Sequence, residues 1–262
     1  MQVKDIIEVL EREIPSRYAV EWDNVGLLVG DRQQEVSRIL IALDATDEVI
    51  AHAAECGAQM ILTHHPLLFR PPKQVVEHDF LGRRIRALIK HEISCYAMHT
   101  NFDIVKMADA NAEQLALQNP EVLEAVGEDE AGSYGFGRVG DLKEEMTLED
   151  FARKVGEVMC LPAVRVYGDP LSVIRRAAVS SGAGKSSIPD AIACGADVIV
   201  TGDVDYHAGT DAVMQGISVI DAGHYGTEFV FISKMKEIVE KKLPEIEIET
   251  EAICQPYHVL SV

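Results

Sequence analysis

The feature that most constrains the fold of this chain is an internal repeat with a spacing of 138 positions. The windows 54–63 and 192–201 are identical at five of ten positions. In each window a Cys-Gly pair ends a predicted helix, and the apolar run that follows predicts a buried strand. Each window then leads through a further helix into another apolar strand, over 93–98 and over 217–222. A repeat of this kind predicts two similar structural units.

Strand and helix signals alternate along the chain, which predicts an α/β fold with mixed, partly parallel sheets. Gly57, Gly195 and Gly216 stand where left-handed helix caps are expected, and Thr147 with Asp150 matches a capping box. Hydrophobic periodicity and these end signals predict eight helices, at 3–13, 47–56, 79–91, 107–118, 147–159, 186–194, 207–215 and 227–241.

The segment 127–140 is acidic and rich in glycine, and it shows no hydrophobic periodicity. This composition is typical of a boundary between domains. We therefore predict a first α/β repeat over 1–127 and a second over 128–252. A final strand over 253–262 is expected to return to one of the two sheets, preferably that of the first repeat.

Composition restricts the class of protein. Hydrophobic residues make up 47% of the 262 residues and charged residues 26%, which excludes a wholly disordered chain.

The N-terminus lacks the pattern of a signal peptide, and no apolar run reaches the roughly 20 residues that cross a bilayer, so we expect a cytoplasmic protein. The five scattered cysteines include no CxxC pair, so we expect reduced core thiols rather than a cysteine zinc site.

Histidines and carboxylates follow several of the predicted strands. His64 and His65 follow one buried strand directly, and ligands of α/β sheets bind beyond the carboxyl ends of the strands. Adjacent side chains of an extended backbone point apart, which favours two different ions, or one ion and one supporting contact. Ordinary hydrogen bonds of two loop histidines are the alternative.

Two further strands end in a histidine followed four residues later by a carboxylate, as His99 with Asp103 and His224 with Glu228. Nitrogen and oxygen donors without thiolate suit Zn, Fe, Mn or Co better than Ca or Mg. A carboxylate that bridges two ions makes an activated water available near neutral pH, so the implied reaction is hydrolysis. The predicted ligands are His64, His65, Asp103, His224 and Glu228, with His99 in reserve.

The second repeat has Gly202-Asp203 in place of the double histidine, followed by Asp205, Tyr206 and His207. Asp203 and Tyr206 are predicted to bind substrate or to support a ligand imidazole, and His207 to transfer protons. Capping of a helix N-terminus by Asp203 or Asp205 is the alternative.

Five motifs together resemble one known family. They are Glu21 to Leu27, Leu62 to Leu67, Met98 to Asp103, Thr201 to His207, and Gly223 to Glu228. In these motifs the chain is similar to the NIF-three-like dinuclear metal-centre proteins, also called GTP cyclohydrolase I type 2 homologues. The resemblance implies two intertwined, structurally similar α/β domains, a homohexameric ring, and two divalent ions per subunit. It also implies that the five predicted ligands, all of which are present here, bind the metal ions.

The resemblance also suggests opening of the GTP imidazole ring by metal-activated water, so GTP or another nucleotide is the expected substrate. His99 and His207 are the expected proton-transfer residues, and Asn101 is a candidate for substrate binding. The alternative is a metal-stabilised, ring-shaped binding or regulatory protein for a protein partner or nucleic acid. The net charge of -19 argues against nucleic acid. The local basic cluster Arg83, Arg84, Arg86 and Lys90 is typical of the solvated face of a helix.

Overall fold

The computed structural model describes residues 1–252 and 256–260 of the chain. These residues form two compact units, each built from two separate stretches of chain. The first unit contains residues 1–102 and the described residues from Phe231 to residue 252. The second unit contains residues 103–230 and the described residues 256–260.

Eleven strands occur in the described part of the chain. In chain order they are β1 (Gly26–Val29), β2 (Arg38–Ala42), β3 (Met60–Thr63), β4 (Ser94–Ala97), β5 (Gln118–Asp129), β6 (Gly132–Thr147), β7 (Arg165–Tyr167), β8 (Val173–Val179), β9 (Val198–Thr201), β10 (Ser218–Asp221) and β11 (Glu247–Thr250).

The α-helices of the described residues include all eight that the sequence predicts. In chain order they are α1 (Val3–Glu13), α2 (Asp47–Cys56), α3 (Phe80–Lys90), α4 (Thr100–Phe102), α5 (Ala108–Gln114), α6 (Leu148–Val158), α7 (Ile188–Ala193), α8 (Tyr206–Met214), α9 (His224–Glu228) and α10 (Val230–Lys242). Short 3-10 turns lie at Ser16–Tyr18 and Gly184–Ser187, and a π-helical turn lies at Asp103–Met107.

Five strands form the sheet of the first unit, in the order β1-β4-β3-β2-β11. The four strands from β4 to β11 are parallel, and β1 pairs antiparallel with β4. Six strands form the sheet of the second unit, in the order β5-β6-β8-β9-β10-β7. Here β8, β9 and β10 are parallel, while β5, β6 and β7 run antiparallel to their neighbours. The prediction of two similar α/β domains with mixed sheets is therefore confirmed.

Side-chain contacts repeat between the units at the same offset of 138 positions. Arg38 donates a hydrogen bond to the carbonyl of Cys56, and Arg176 donates one to the carbonyl of Cys194. Gln59 accepts hydrogen bonds from the backbone N–H groups of residues 37 and 38, as Asp197 does from those of residues 175 and 176. These shared contacts extend the duplication beyond the windows in which the sequence is visibly similar.

The predicted end signals of the helices are present. Gly57, Gly195 and Gly216 all have left-handed backbones, with φ of 73°, 70° and 91°. The Thr147 side chain accepts a hydrogen bond from the backbone N–H of Asp150 and donates one to its carboxylate. Left-handed residues end helices at little cost when they are glycine, which explains why these three positions mark helix ends so clearly.

Apolar residues cover both faces of the second sheet, as expected for parallel strands between helices. One face carries Val179, Val200 and Ile220, which pack in a cluster with Phe151 of α6. The opposite face carries a second cluster, with Ala178, Ile199, Val219, Ile188 and Ala212. Full burial of one such aliphatic side chain stabilises the fold by about 1.5–3 kcal/mol, so these clusters stabilise the strands of this sheet.

The structure differs from the predicted domain boundary. The segment 127–140 belongs to the hairpin of β5 and β6 in the second unit, where eight residue pairs connect the two strands. Hydrogen bonding to a neighbouring strand does not require apolar residues, so this acidic, glycine-rich segment carries no hydrophobic signal. The chain therefore passes from one compact unit to the other at residues 102/103 and 230/231 rather than at residue 127.

The predicted C-terminal strand lies partly outside the described residues, which omit 253–255 and 261–262. Residues 256–260 form no strand. The strand that completes the first sheet is instead β11, which pairs in parallel with β2. Among the described residues, no helix combines the length and the apolar character that crossing a membrane requires.

Candidate metal centre

Three imidazoles lie together at the carboxyl ends of β3 and β4 in the first unit. His64 and His65 follow β3 directly, and His99 follows β4 by two residues. One ring nitrogen from each of the three lies within 4.8 Å of the others. We call His64, His65 and His99 the first donor group. Because the parallel strands β3 and β4 end at the same edge of the sheet, the fold itself produces this cluster.

The two adjacent histidines differ from the sequence expectation. Their ring centroids are only 4.9 Å apart, although side chains of an extended strand would point to opposite faces. The reason is that β3 ends at Thr63, and residues 64 and 65 form a bend. His64 is fully buried, whereas His65 is partly exposed.

Each imidazole of the first donor group has its Nδ1 atom held by an oxygen. His64 Nδ1 lies 3.0 Å from the carbonyl oxygen of Met98, and His65 Nδ1 lies 3.0 Å from Oδ1 of Asp44. A carbonyl oxygen can only accept, so Nδ1 of His64 carries the proton and Nε2 presents its lone pair. Metal-ligating histidines are usually fixed in this way by a partner behind the ring.

His99 is held by Asp23, whose Oδ1 lies 2.9 Å from Nδ1 of the ring. The other carboxylate oxygen of Asp23 accepts hydrogen bonds from the backbone N–H and the hydroxyl of Thr100. Burial by itself would raise the pKa of Asp23, but the hydrogen bonds from His99 and Thr100 outweigh it and lower this pKa to about 2. Asp23 is therefore a carboxylate at neutral pH and holds the imidazole of His99 through Nδ1.

The second unit carries another set of donors, at the carboxyl edge of its own sheet. His224 and Glu228 lie one turn apart on α9, and His224 Nε2 is 3.2 Å from Oε1 of Glu228. Asp103 begins the π-helical turn, and its Oδ1 accepts a hydrogen bond from the Ser181 hydroxyl. Asp103 and Glu228 are both buried. We call Asp103, His224 and Glu228 the second donor group.

Gly182 closes the loop that follows β8 against the second donor group. Its φ is +61°, and a Cβ atom at this position would collide with Oε1 of Glu228. Its backbone N–H donates to the hydroxyl of Thr227, at 2.9 Å. The absent side chain thus lets the loop approach the carboxylate, which is one of the uses of glycine at a ligand site.

Asp203 and Asp205 make different contacts. Asp203 Oδ2 lies 2.8 Å from Nδ1 of His224, so Asp203 holds that imidazole. Asp205 caps α8 by accepting from the backbone N–H of Ala208, and it also pairs with Lys185 at 2.9 Å. The same anchoring of Nδ1 by an oxygen therefore occurs in both units.

The remaining predicted residues lie elsewhere in their units. Tyr206 and His207 form the exposed first turn of α8, and their described contacts join them to each other and to Thr210. Asn101 is buried, and its side chain donates to the carbonyl of Ile14 in the first unit. None of these described contacts joins Asn101, Tyr206 or His207 to a donor group.

Two cavities open beside the donors. In the first unit, a cavity of about 320 Å³ is lined by His65, Asp44, Phe69, Arg70, Phe80 and Arg84 among others. In the second unit, a cavity of about 460 Å³ is lined by His224, Asp203, Asp221, Arg165, Tyr225 and Tyr257 among others. Cavities of this size accept part or all of a small ligand.

Sequence reasoning missed Asp23 and Asp44 as supporting residues. Asp44 follows β2 by two residues, so the rule that selected the histidines at the ends of other strands would have found it. Asp23 comes before β1, the antiparallel strand of its sheet, and no strand-end rule selects that position.

Known proteins are similar to this chain over nearly its whole length. A family model described as Duf34/NIF3 (NGG1p interacting factor 3) matches residues 1–257. A protein of Clostridium perfringens (strain 13 / Type A) named GTP cyclohydrolase 1 type 2 homolog is 39% identical over 245 residues, 93% of each chain.

Two solved structures are similar over nearly the whole chain. A Bacillus cereus protein related to NIF3 has a TM-score of 0.91 and 26% identity, with 99% of each chain covered. Reduced HcgD from Methanocaldococcus jannaschii has a TM-score of 0.81 and 34% identity, with 95% of this chain and 97% of that chain covered.

Proposed function

Because this chain belongs to the DUF34/NIF3 family, we propose that it is a dinuclear metal-dependent hydrolase of a purine nucleotide. The name of its curated relatives points to GTP, and opening of the purine imidazole ring is the reaction that name suggests. The proposed ligands are His64, His65, Asp103, His224 and Glu228.

The observation that carries the proposal is the anchoring of the imidazoles. His64, His65, His99 and His224 all have Nδ1 within hydrogen-bonding distance of an oxygen, so that Nε2 lies on the side of each ring away from that oxygen. Loop histidines without a metal do not need such uniform anchoring, whereas metal ligands do. The donor set also fits, because imidazoles and carboxylates without thiolate suit Zn, Fe, Mn or Co.

The bound ions would lower the pKa of a coordinated water toward neutrality and so supply the nucleophile. The chain itself would move the protons. His99, backed by the Asp23 carboxylate, is the proposed group that accepts a proton during attack and returns it to the leaving nitrogen. His207 stays a second proposed proton-transfer residue, and Tyr206 and Asn101 stay proposed substrate contacts.

We also propose that the chain works as a homohexamer in the cytoplasm, as the resemblance to the family suggests. Sedimentation equilibrium of the purified protein tests the assembly. A single species with six times the mass of the 28.8 kDa chain is expected. A monomer at micromolar concentration would contradict the hexamer without affecting the ligand assignment.

The hydrolase is tested by incubating protein reconstituted with Zn, Fe, Mn or Co with GTP and a panel of nucleotides. Mass spectrometry should detect a formylated, ring-opened product whose formation requires metal. The test variant is Glu228→Gln, which keeps the shape of the side chain but removes its charge. This variant should abolish turnover. Turnover that survives this change, or that does not depend on metal, would contradict the proposal.

One finding favours a second candidate, a binding or regulatory role, because the family description itself names an interacting factor. In that case the metals would stabilise the fold. No turnover of any nucleotide by fully metallated protein, together with a large loss of thermal stability on metal removal, would favour this role.

A further inference from the structure

The cavity beside His65 is distinguished by its charge. The net charge of the chain is -19, yet this cavity is lined by Arg70 and Arg84 and by a single carboxylate, that of Asp44. Asp44 is already engaged with Nδ1 of His65. The cavity therefore presents two cations next to a proposed metal ligand, in a chain that is otherwise strongly acidic.

The basic cluster on α3 separates into two kinds of residue. Arg83 pairs with Asp47 at 2.9 Å and Arg86 with Glu77 at 3.4 Å, so the charges of both are compensated at the surface. Arg84 also pairs with Asp47, at 3.6 Å, but it lines the cavity as well, with only 23% of its side chain exposed. The expectation of a uniformly solvated helix face therefore does not hold for Arg84.

Arg84 is held in place but keeps hydrogen-bonding capacity. Its guanidinium lies over the ring of Phe80, 5.3 Å from the ring centroid. Its contact with Asp47 is 3.6 Å long, and its buried Nε has no hydrogen-bond partner among the described residues. Arg70 is exposed, and among residues 1–252 and 256–260 no ion pair involves it. Guanidinium groups with donors available are suited to phosphate oxygens.

The cavity beside His224 has the opposite character. It contains Arg165 together with the carboxylates of Asp203 and Asp221, and Arg165 already pairs with Asp221 at 3.2 Å. This cavity therefore has two carboxylates and one arginine, whereas the cavity beside His65 has one carboxylate and two arginines. Of the two cavities that adjoin proposed ligands, the one beside His65 is thus the better site for phosphate.

An exposed aromatic surface lies between this cavity and His99. Trp22 is 63% exposed, and its ring lies edge to face with Phe69 at 5.9 Å and with His99 at 6.2 Å. Phe69 also lines the cavity. A volume of about 320 Å³ accepts phosphates and a sugar more readily than a whole nucleotide, which leaves the base outside, on the tryptophan.

We infer that the cavity beside His65 binds the phosphate groups of the nucleotide through Arg70 and Arg84, while the base packs on Trp22. This inference deepens the proposed function and depends on it for the choice of ligand. The arrangement would place the purine beside His99 and the first donor group, with the phosphates on the far side of Phe69.

The test measures binding of guanosine, GMP and GTP to the metal-reconstituted protein. Trp22 is the only tryptophan of the chain, so quenching of its fluorescence reports on the base directly. Calorimetry measures the same affinities independently of the fluorophore. The variants are Arg84→Gln and the exposed Arg70→Gln, and Arg86→Gln on the same helix is the matched control.

Affinity should rise from guanosine to GTP in the wild type. Each pocket variant should weaken GTP binding roughly tenfold or more, as expected for loss of one charge-assisted hydrogen bond, and should leave guanosine binding unchanged. Arg86→Gln should change neither the affinity for GTP nor the affinity for guanosine. Equal affinity for guanosine and GTP, unchanged GTP affinity in both pocket variants, or no nucleotide binding by calorimetry would each overturn the inference.

Failure of the inference and failure of the proposed function can be told apart. If GTP binds through the arginines but is not hydrolysed, the proposed hydrolase activity is contradicted and the phosphate site is supported. If GTP hydrolysis depends on metal but its kinetics are unchanged in Arg70→Gln and Arg84→Gln, the phosphate site is contradicted and the proposed hydrolase activity is supported.

Discussion

Asp23 and His99 form a buried carboxylate–imidazole pair, with 2.9 Å between Oδ1 and Nδ1. The Asp23 side chain is fully buried and the His99 side chain is 17% exposed. The carboxylate comes from the loop before β1 and the imidazole from the end of β4, and these two strands are neighbours in the sheet. The pair fixes the orientation of the imidazole, as a supporting carboxylate does in hydrolytic triads.

The first prediction concerns this pair. Asp23→Asn keeps the shape of the side chain but removes the negative charge beside Nδ1 of His99. We expect nucleotide turnover to fall by roughly 10²- to 10⁴-fold, the range for loss of general acid–base catalysis, while the metal content stays at the wild-type value. Steady-state kinetics and plasma mass spectrometry on the same preparation measure both quantities.

The metal content separates two roles of His99. If Asp23→Asn or His99→Ala loses as much metal as His64→Ala, then His99 is a ligand and not a proton-transfer residue. Unchanged turnover in Asp23→Asn would remove the catalytic role altogether.

The second prediction concerns Gly182. Gly182→Ala introduces a Cβ atom that collides with Glu228, at a φ of +61° that an L-residue adopts only with strain. Glu228 has to move, so we expect a lower metal content in the reconstituted variant. Gly57→Ala is the matched control, because Gly57 also has positive φ but its missing Cβ faces open space.

Both glycine variants should lose about 1 kcal/mol of stability from the backbone alone. Only Gly182→Ala should lose metal. Equal metal contents in the two variants would show that the approach of the Gly182 loop to Glu228 does not matter for the site.

The third prediction concerns the thiols. Burial raises the pKa of the Cys95 thiol to about 12, although a hydrogen bond with Thr63 opposes this shift. Cys160 is exposed. At pH 8 we expect a thiol reagent to modify Cys160 in the folded protein and to reach Cys95 only after unfolding. Peptide mapping by mass spectrometry identifies the modified residue, and rapid labelling of Cys95 in the native state would contradict the described core.

The fourth prediction concerns Glu251, which follows β11. Burial raises the pKa of Glu251 from its usual 4.5, and nearby Asp44 raises it further, while a hydrogen bond from the backbone N–H of Leu43 opposes the shift. The folded protein therefore holds this proton more tightly than the unfolded chain does. The contribution is fully present below pH 4.5 and is lost as the pH rises through the folded-state pKa.

Glu251→Gln keeps an oxygen that can accept from Leu43 but cannot ionise. We expect the melting temperature of the variant, relative to wild type, to increase as the pH rises from 4.5 to 7.5. Thermal unfolding followed by circular dichroism measures this difference. A variant that becomes relatively less stable toward neutral pH would show that the ionised carboxylate is stabilising.

Much of the fold follows from local patterns in the sequence. The α/β repeat was predictable because Cys-Gly helix ends and apolar strands recur at one spacing, and the structure shows the same spacing in the contacts of Arg38 and Arg176. The hairpin of β5 and β6 was not predictable, because cross-strand hydrogen bonds stabilise it without an apolar pattern. β11 was also missed, since its Glu-rich sequence hides its pairing with β2.

The donors were predictable for a simple reason, since strand ends are visible in the sequence and parallel strands bring their ends together. The residues that hold these donors in place were harder to predict. Asp23 reaches His99 across 76 positions of sequence, and Ser181 reaches Asp103 across 78. Such long-range hydrogen bonds depend on tertiary packing, which a single sequence does not encode in any local pattern.

We propose one dinuclear centre whose ligands include His65 and Glu228. The most direct measurement is the metal stoichiometry and affinity of His65→Ala, Glu228→Gln and the double variant after reconstitution. We expect about two ions per chain in the wild type, and either single substitution should weaken retention of both ions because the coordination is shared. If each single variant instead keeps one ion at wild-type affinity, or both keep two, the donors do not form one dinuclear centre.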